Sequence, residues 1–175
     1  MLRITISGQI GSGKSTVAEI LEDKLGIRYV YSGKIFRNLA KKYNMNLEEF
    51  GKYCEKNSEV DKELDQKQLE ILKEGNLILE GRLAGWLAYK NDIPALKIAI
   101  LADIDTRTKR IIKREEGSIK KRKEEIIKRE KSESKRYKNY YNIDINDNSI
   151  YDIVIDSSNK SPEEIVNMII AKLDR

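Results

Sequence analysis

The residues from Gly8 to Ser15 read Gly-Gln-Ile-Gly-Ser-Gly-Lys-Ser and fit G-x-x-x-x-G-K-[ST], the spacing of a phosphate-binding loop. The chemistry of that spacing is anion capture. Glycines let the backbone curl so that successive N–H groups point inward, and a helix that follows adds partial positive charge at its N-terminus. Lys14 is then placed to reach β- and γ-phosphates, and the Ser15 hydroxyl to bind Mg²⁺. A glycine turn that merely joins a strand to a helix would need neither the lysine nor the hydroxyl. The expected ligand is a nucleoside triphosphate.

Two further clusters carry charge suited to phosphate. In Ser32-Gly33-Lys34-Ile35-Phe36-Arg37 a Ser–Gly turn would let backbone approach a ligand, with Arg37 one helical turn in. In Glu80-Gly81-Arg82 an arginine can hold a phosphate bidentately, and the acid can hold a Mg²⁺-bound water. The blander alternatives are a surface arginine behind a helix cap and a mutual Glu80–Arg82 ion pair. The chain has no histidine. An alcohol acceptor usually calls for a carboxylate or histidine base. A phosphate acceptor, with a second pKa of about 6, is already an anionic nucleophile at neutral pH. Phosphate-to-phosphate transfer by positioning and charge neutralisation is the reaction these residues suit best.

The elements that must position these groups alternate. Leu2–Ile6, Tyr29–Tyr31, Leu77–Leu79, Leu96–Leu101 and Ile153–Ile155 are short apolar runs expected as strands. Helical spacing follows the first run through Val17, Ile20, Leu21 and Leu25, with Gly26 as the stop. Between residues 34 and 74 the pattern is helical throughout. It includes an Asn46 cap with Glu49 as its reciprocal acid and a third helix from Ser58 that carries Leu64, Gln68, Leu69 and Leu72. Asp105 is expected to cap the helix after the fourth strand, Gly117-Ser118 to break it, and a basic helix to run from about Ile119 to Tyr140. Ser161-Pro162-Glu163-Glu164 opens the last helix. This is an α/β chain, a three-layer α/β/α fold on a parallel five-stranded sheet. Its ligands are expected beyond the carboxyl ends of the strands, at Gly8, Ser32, Glu80, Asp103 and Asp156.

Composition limits the rest. A chain of 175 residues holds one full core. Its single cysteine, Cys54, excludes an intrachain disulfide. No stretch approaches the roughly 18 apolar residues of a membrane span, and the chain runs straight into its first strand, so a cytoplasmic location is expected. Net charge is +5, yet residues 107–138 hold 15 Lys/Arg against 6 Glu. Such a segment can be a solvated helix face, a nucleic-acid patch or a cover of arginines over polyphosphate.

In order and spacing, the phosphate loop, the Ser32–Arg37 segment, Leu79-Glu80-Gly81-Arg82-Leu83-Ala84-Gly85, the Arg110/Arg114 helix and Arg129–Tyr137 resemble the cytidylate kinases, closest to the archaeal type. The resemblance implies a P-loop nucleoside monophosphate kinase fold with sheet order 2-3-1-4-5. It implies a core of residues 1–32, 76–114 and 141–175, a helical NMP-binding insertion at 33–75 and a lid at 115–140. It also implies Mg²⁺-dependent transfer from ATP to CMP or dCMP by a monomer, without nucleic-acid or membrane partners. Ser7, Gly8, Gln9, Ile10, Gly11, Ser12, Gly13, Lys14, Ser15 and Thr16 would hold ATP, with Ser15 and Glu80 on the metal side. Ser32, Gly33, Arg37, Glu80, Gly81, Arg82, Arg129 and Glu133 would hold the acceptor. Arg110 would stack on adenine, while Arg114, Arg129 and Arg136 would neutralise the transferring group. An acid near Arg129, or Asp61 and Asp65 on the insertion, would read the cytosine amino group; the bland reading of the last two is a solvated acidic face. The rival readings are another P-loop small-molecule kinase, with AMP, UMP, dephospho-coenzyme A or an alcohol as acceptor, and an ATP-dependent RNA-binding switch.

Overall fold

In the computed structural model, which describes residues 1–115 and 117–173, the strands are β1 (Arg3–Gly8), β2 (Arg28–Tyr31), β3 (Leu77–Glu80), β4 (Leu96–Leu101) and β5 (Ile153–Asp156). All neighbouring pairs are parallel and the order is β2-β3-β1-β4-β5, as expected. Glu116 of the expected lid and residues 174–175 of the expected core lie outside the described residues. The helices are α1 (Lys14–Leu25), α2 (Ser32–Lys42), α3 (Leu47–Lys56), α4 (Ser58–Glu74), α5 (Ala84–Lys90), α6 (Ile104–Ile112), α7 (Ile119–Tyr141) and α8 (Pro162–Leu173).

Strand side chains alternate between two cores. Ile4, Ile6, Ile78, Ile98, Ile100 and Ile155 meet Val17, Leu21, Ile165 and Ile169 from α1 and α8 on one face. Leu77 and Leu79 point the other way, onto Leu72, Ala84 and Ala88 of α4 and α5. Burial on both faces explains why β3 reads as an unbroken apolar run. A third cluster, with Leu83, Trp86, Tyr137, Ile143 and Ile150, fastens the end of α7 to α5. The helices α2 to α4 have a small core of their own around Phe50, Ala40, Cys54 and Val60. There Phe36 and Phe50 pack with ring centroids 4.9 Å apart.

The caps follow local chemistry, with corrections. Asn46 and Glu49 form the reciprocal capping box. The cap of α6 is Asp103, not Asp105. Asp103 is extended and its carboxylate accepts from the Thr106 amide at 2.8 Å, whereas Asp105 is already helical and pairs with Lys123 at 2.7 Å. Ser32 and Gly33 form no turn. They are the first residues of α2, and a Cβ on Gly33 would overlap the Tyr31 ring.

The α2–α4 unit and α7 close on each other over the strand ends. Glu55 accepts from Ser132 Oγ at 2.6 Å and pairs with Lys135 at 3.1 Å, and Tyr140 donates to the Cys54 carbonyl at 2.5 Å. Phe50, fully buried, is the largest apolar side chain beneath that contact. Phe50→Ala is expected to cost about 3–5 kcal/mol of stability in urea unfolding; a loss below about 1 kcal/mol would show that α2–α4 do not depend on this core.

Candidate active site

The phosphate loop leaves β1 through Gly8, whose φ of +147° places it where a Cβ would overlap the Ile100 carbonyl. Gly13, at φ +94°, occupies the N-cap of α1 and supplies no side-chain cap, which leaves that helix N-terminus to an external anion. The Ser12 hydroxyl is buried in the loop without a partner, a polar atom that a phosphate oxygen would satisfy. Lys14 is buried and donates from Nζ to the Gln9 carbonyl at 2.7 Å. Burial lowers its pKa to about 8, against the opposing pull of Glu80. Among the other expected donor residues, Ser7 accepts from the Gly85 amide at 3.0 Å and Gln9 Oε1 from the Ala102 amide at 3.1 Å. Both therefore brace the loop through their side chains. Ile10 and Gly11 are half-buried and Thr16 is exposed.

Arg110 lies at the far rim. Its guanidinium donates to the Ser12 carbonyl at 3.2 Å and to the Ser157 carbonyl at 2.7 Å, so it is held between the loop and the end of β5. Arg107, which the sequence pattern did not single out, braces the same loop. It bonds the Ile10 carbonyl at 3.1 Å and pairs with Glu130 of α7 at 2.7 Å.

Glu80 does not pair with Arg82. Its Oε2 accepts from Ser15 Oγ at 2.9 Å and from the Tyr29 hydroxyl at 2.5 Å. Burial, then Glu80 itself, holds Tyr29 protonated well above the phenol range. A hydroxyl and a buried carboxylate therefore converge on one point beside the loop. Among the described residues no cluster of three His, Cys, Asp or Glu could hold a metal. The pair Ser15 and Glu80 fits Mg²⁺ of the kind bound by one or two protein oxygens, waters and phosphates.

Arg82 turns toward α7 instead. Nε donates to Glu133 Oε2 at 2.6 Å and Nη1 to the Gly8 carbonyl at 2.7 Å. Glu133 also accepts from Arg129 at 3.2 Å. Burial works against the Glu133 charge, but Arg82, Arg129 and Arg136 hold its carboxyl below the usual range. Arg136 Nε lies 2.9 Å from Asp61 Oδ2, and its guanidinium stands 5.6 Å from the Phe36 ring centroid. These groups line a cavity of about 70 Å³ that also includes Ser32, Gly33 and Gln68. On the opposite side of Arg82 a cavity of about 230 Å³ opens against Gly8, Gln9, Glu130 and Tyr151.

Asp61 is buried and paired, so it does not belong to a solvated acidic face. Two expected site residues are not brought in. Arg37 is exposed, with its guanidinium 5.8 Å from the Tyr31 ring centroid, and Arg114 is exposed in the turn after α6. The basic 107–138 segment is divided: Arg107, Arg129 and Arg136 turn inward onto carboxylates, while Lys128, Lys135 and Lys138 face out.

Because Lys14 in the free protein titrates near 8, a triphosphate that needs its charge raises that pKa on binding. Affinity for a non-hydrolysable ATP analogue is therefore expected to hold below about pH 8 and to fall up to tenfold per pH unit above it. Titration calorimetry checks this; an affinity unchanged to about pH 9.5 would show that burial does not depress Lys14 in the free protein.

The cytidylate kinase-like family matches residues 3–159. The cytidylate kinase of Methanococcus vannielii is 50% identical over 167 residues, which is 95% of this chain and 96% of that protein. That of Methanocaldococcus jannaschii is 46% identical, with 98% and 97% covered. Among solved structures, an uncharacterised protein from Eubacterium ventriosum has TM-score 0.73 at 23% identity, with 99% of both chains covered. A shikimate kinase from Bacteroides thetaiotaomicron has TM-score 0.64 at 12% identity, again with 99% of both covered. At those identities the two structures carry the fold alone. With this match over most of its length, the chain belongs to the cytidylate kinase-like family.

Proposed function

We propose that the protein transfers the γ-phosphoryl group of ATP to CMP, with dCMP as a second acceptor, giving ADP and the nucleoside diphosphate. The observation that carries this reading is Arg82, which touches the Gly8 carbonyl at 2.7 Å and Glu133 at 2.6 Å and so joins the two anion sites through one guanidinium. An in-line transfer needs both phosphates against one shared positive charge, and Arg82 is at that border.

The Gly8–Ser15 amides and Lys14 hold the donor phosphates. Arg110, clamped between Ser12 and Ser157, supports the adenine side as a flat guanidinium. Ser15 and, through a water, Glu80 would hold Mg²⁺, which would supply charge neutralisation to the donor phosphates. Arg82, Arg129 and Arg136 receive the acceptor phosphate, with Arg37 joining from the exposed face of α2. No residue has to remove a proton, because the acceptor oxygen is anionic at neutral pH. Helices α2–α4 serve as the NMP-binding insertion, and α7 is the lid that brings Arg129 and Arg136 over the cleft and excludes water. Arg114, beside the hinge of that lid, joins the transferring group on closure. A cytoplasmic setting, where nucleotides are interconverted, fits a chain in which no described helix is long and apolar enough to cross a membrane.

ADP release measured with CMP, dCMP, UMP, AMP and GMP tests the reading: CMP and dCMP should be the best acceptors, and preference for AMP or for none of these would overturn it. Lys14→Ala should lower kcat/KM by more than about 100-fold while the protein stays folded. Arg82→Ala should raise the KM for CMP much more than that for ATP; the reverse order would remove Arg82 from the acceptor side.

A further inference from the structure

The acceptor cavity ends on α4 in a chain of three polar side chains. Asp65 Oδ2 accepts from the Tyr141 hydroxyl at 2.5 Å, and Asp65 Oδ1 accepts from Gln68 Nε2 at 3.0 Å. With Nε2 committed to a carboxylate, the orientation of the Gln68 amide is fixed, and Oε1 is the atom left over. Gln68 is only 7% exposed, lines the cavity, and its Oε1 has no partner. A Cβ built on Gly81 would stand 3.3 Å from that oxygen, which places it at the strand end next to Arg82. The other acids of the cavity face cations: Asp61 Oδ2 lies 2.9 Å from Arg136 Nε in an ion pair without hydrogen-bond alignment, and Glu133 pairs with Arg82 and Arg129. A buried acceptor that nothing satisfies, at the wall of a nucleotide cavity, calls for a donor on the ligand.

We infer that Gln68 Oε1 accepts a hydrogen bond from the exocyclic amino group of the acceptor pyrimidine, and that Asp65 is the positioning residue that holds the amide in this accepting orientation. The pair therefore separates an aminopyrimidine from an oxopyrimidine. This inference rests on the proposed acceptor site. Cytosine presents an N4 amino donor where uracil presents a carbonyl oxygen. Uracil would bring two acceptors together and leave both buried without a hydrogen, a mismatch worth roughly 10- to 100-fold in affinity.

An amide can turn over and offer Nε2 to uracil, and Asp65 decides whether it does. While Asp65 is ionised, the turned amide would set Oε1 against a carboxylate. Once protonated, the carboxyl can donate to Oε1 and the turn is tolerated. Burial raises Asp65 to about 7, with Asp61 raising it too, while Tyr141, Gln68 and Arg136 lower it. Tyr137 of α7 is the further titratable group that faces it. Since the neutral acid gains population below about 7, discrimination should weaken as pH falls. Titration of the acceptor phosphate is common to both substrates and cancels in their ratio.

The test is the ratio of kcat/KM for CMP over UMP, with dissociation constants for both measured by titration calorimetry. For the unmodified enzyme the ratio is expected to rise roughly tenfold from about pH 6 to about pH 8.5, across the Asp65 value of about 7. In Asp65→Asn the carboxamide can donate to Oε1, so the ratio should fall roughly 10- to 100-fold, with a gain for UMP and no remaining pH dependence. Gln68→Met should lose discrimination without a gain for UMP. Thermal unfolding and ATP affinity of each variant report the fold separately. An unchanged ratio in folded Asp65→Asn would overturn the inference, as would full retention of the CMP preference in Gln68→Met. Either result, with CMP still the best acceptor, would leave the functional reading intact; a lack of CMP turnover would defeat that reading instead.

Discussion

The structure depends on a buried carboxylate shared between two half-buried arginines. Glu133 is 5% exposed and lies within 2.6 Å of Arg82 and 3.2 Å of Arg129. A buried pair of this kind gives little net stability, because the Coulombic gain is spent on desolvation. What it does is fix geometry. Removing either partner would strand a charge, so the end of β3 and the middle of α7 are held to one arrangement. Arg136 and Asp61 repeat the device between α7 and α4. Three guanidiniums thus share two carboxylates in ion pairs, and Asp65, the third acid of the cavity, bonds to Tyr141 and Gln68 instead of to an arginine. The guanidinium groups along one wall are the physical basis for an anionic ligand.

Sheet topology explains why the two proposed anion sites meet. β1 and β3 are parallel neighbours in register, with Ile6 opposite Glu80. The loops that follow them therefore emerge side by side, one carrying the phosphate loop and the other Gly81-Arg82. Glu80 and Arg82 point in different directions, the first to Ser15 and the second to Glu133. Neighbouring positions on one strand end thus divide the cation and anion chemistry between them.

Much of this was legible in the sequence because its signals are local. The glycines and lysine of the loop, the unbroken apolar runs of the parallel strands and the Asn46–Glu49 box each depend on neighbours in the chain. Partners from distant segments were not legible. Nothing in Glu80-Gly81-Arg82 says that the acid turns to Tyr29 and the arginine to residue 133, since both choices satisfy the same charges. The same limit hid Arg107 in a basic run whose outward lysines look alike in sequence. Gln68 did leave a trace: a polar residue at an apolar-stripe position of α4, which a helix tolerates only when the side chain has buried work to do. The cap of α6 was misplaced by two residues because two aspartates precede Thr106, and only the extended backbone of Asp103 selects between them.

The guanidinium wall of the cavity is tested most directly by the ionisation of the acceptor phosphate itself. In solution its second pKa is about 6. Titration of bound CMP by phosphorus NMR should show that value displaced well downward, since the dianion is the form these arginines favour. A bound phosphate that titrates at or above its solution value would contradict the account.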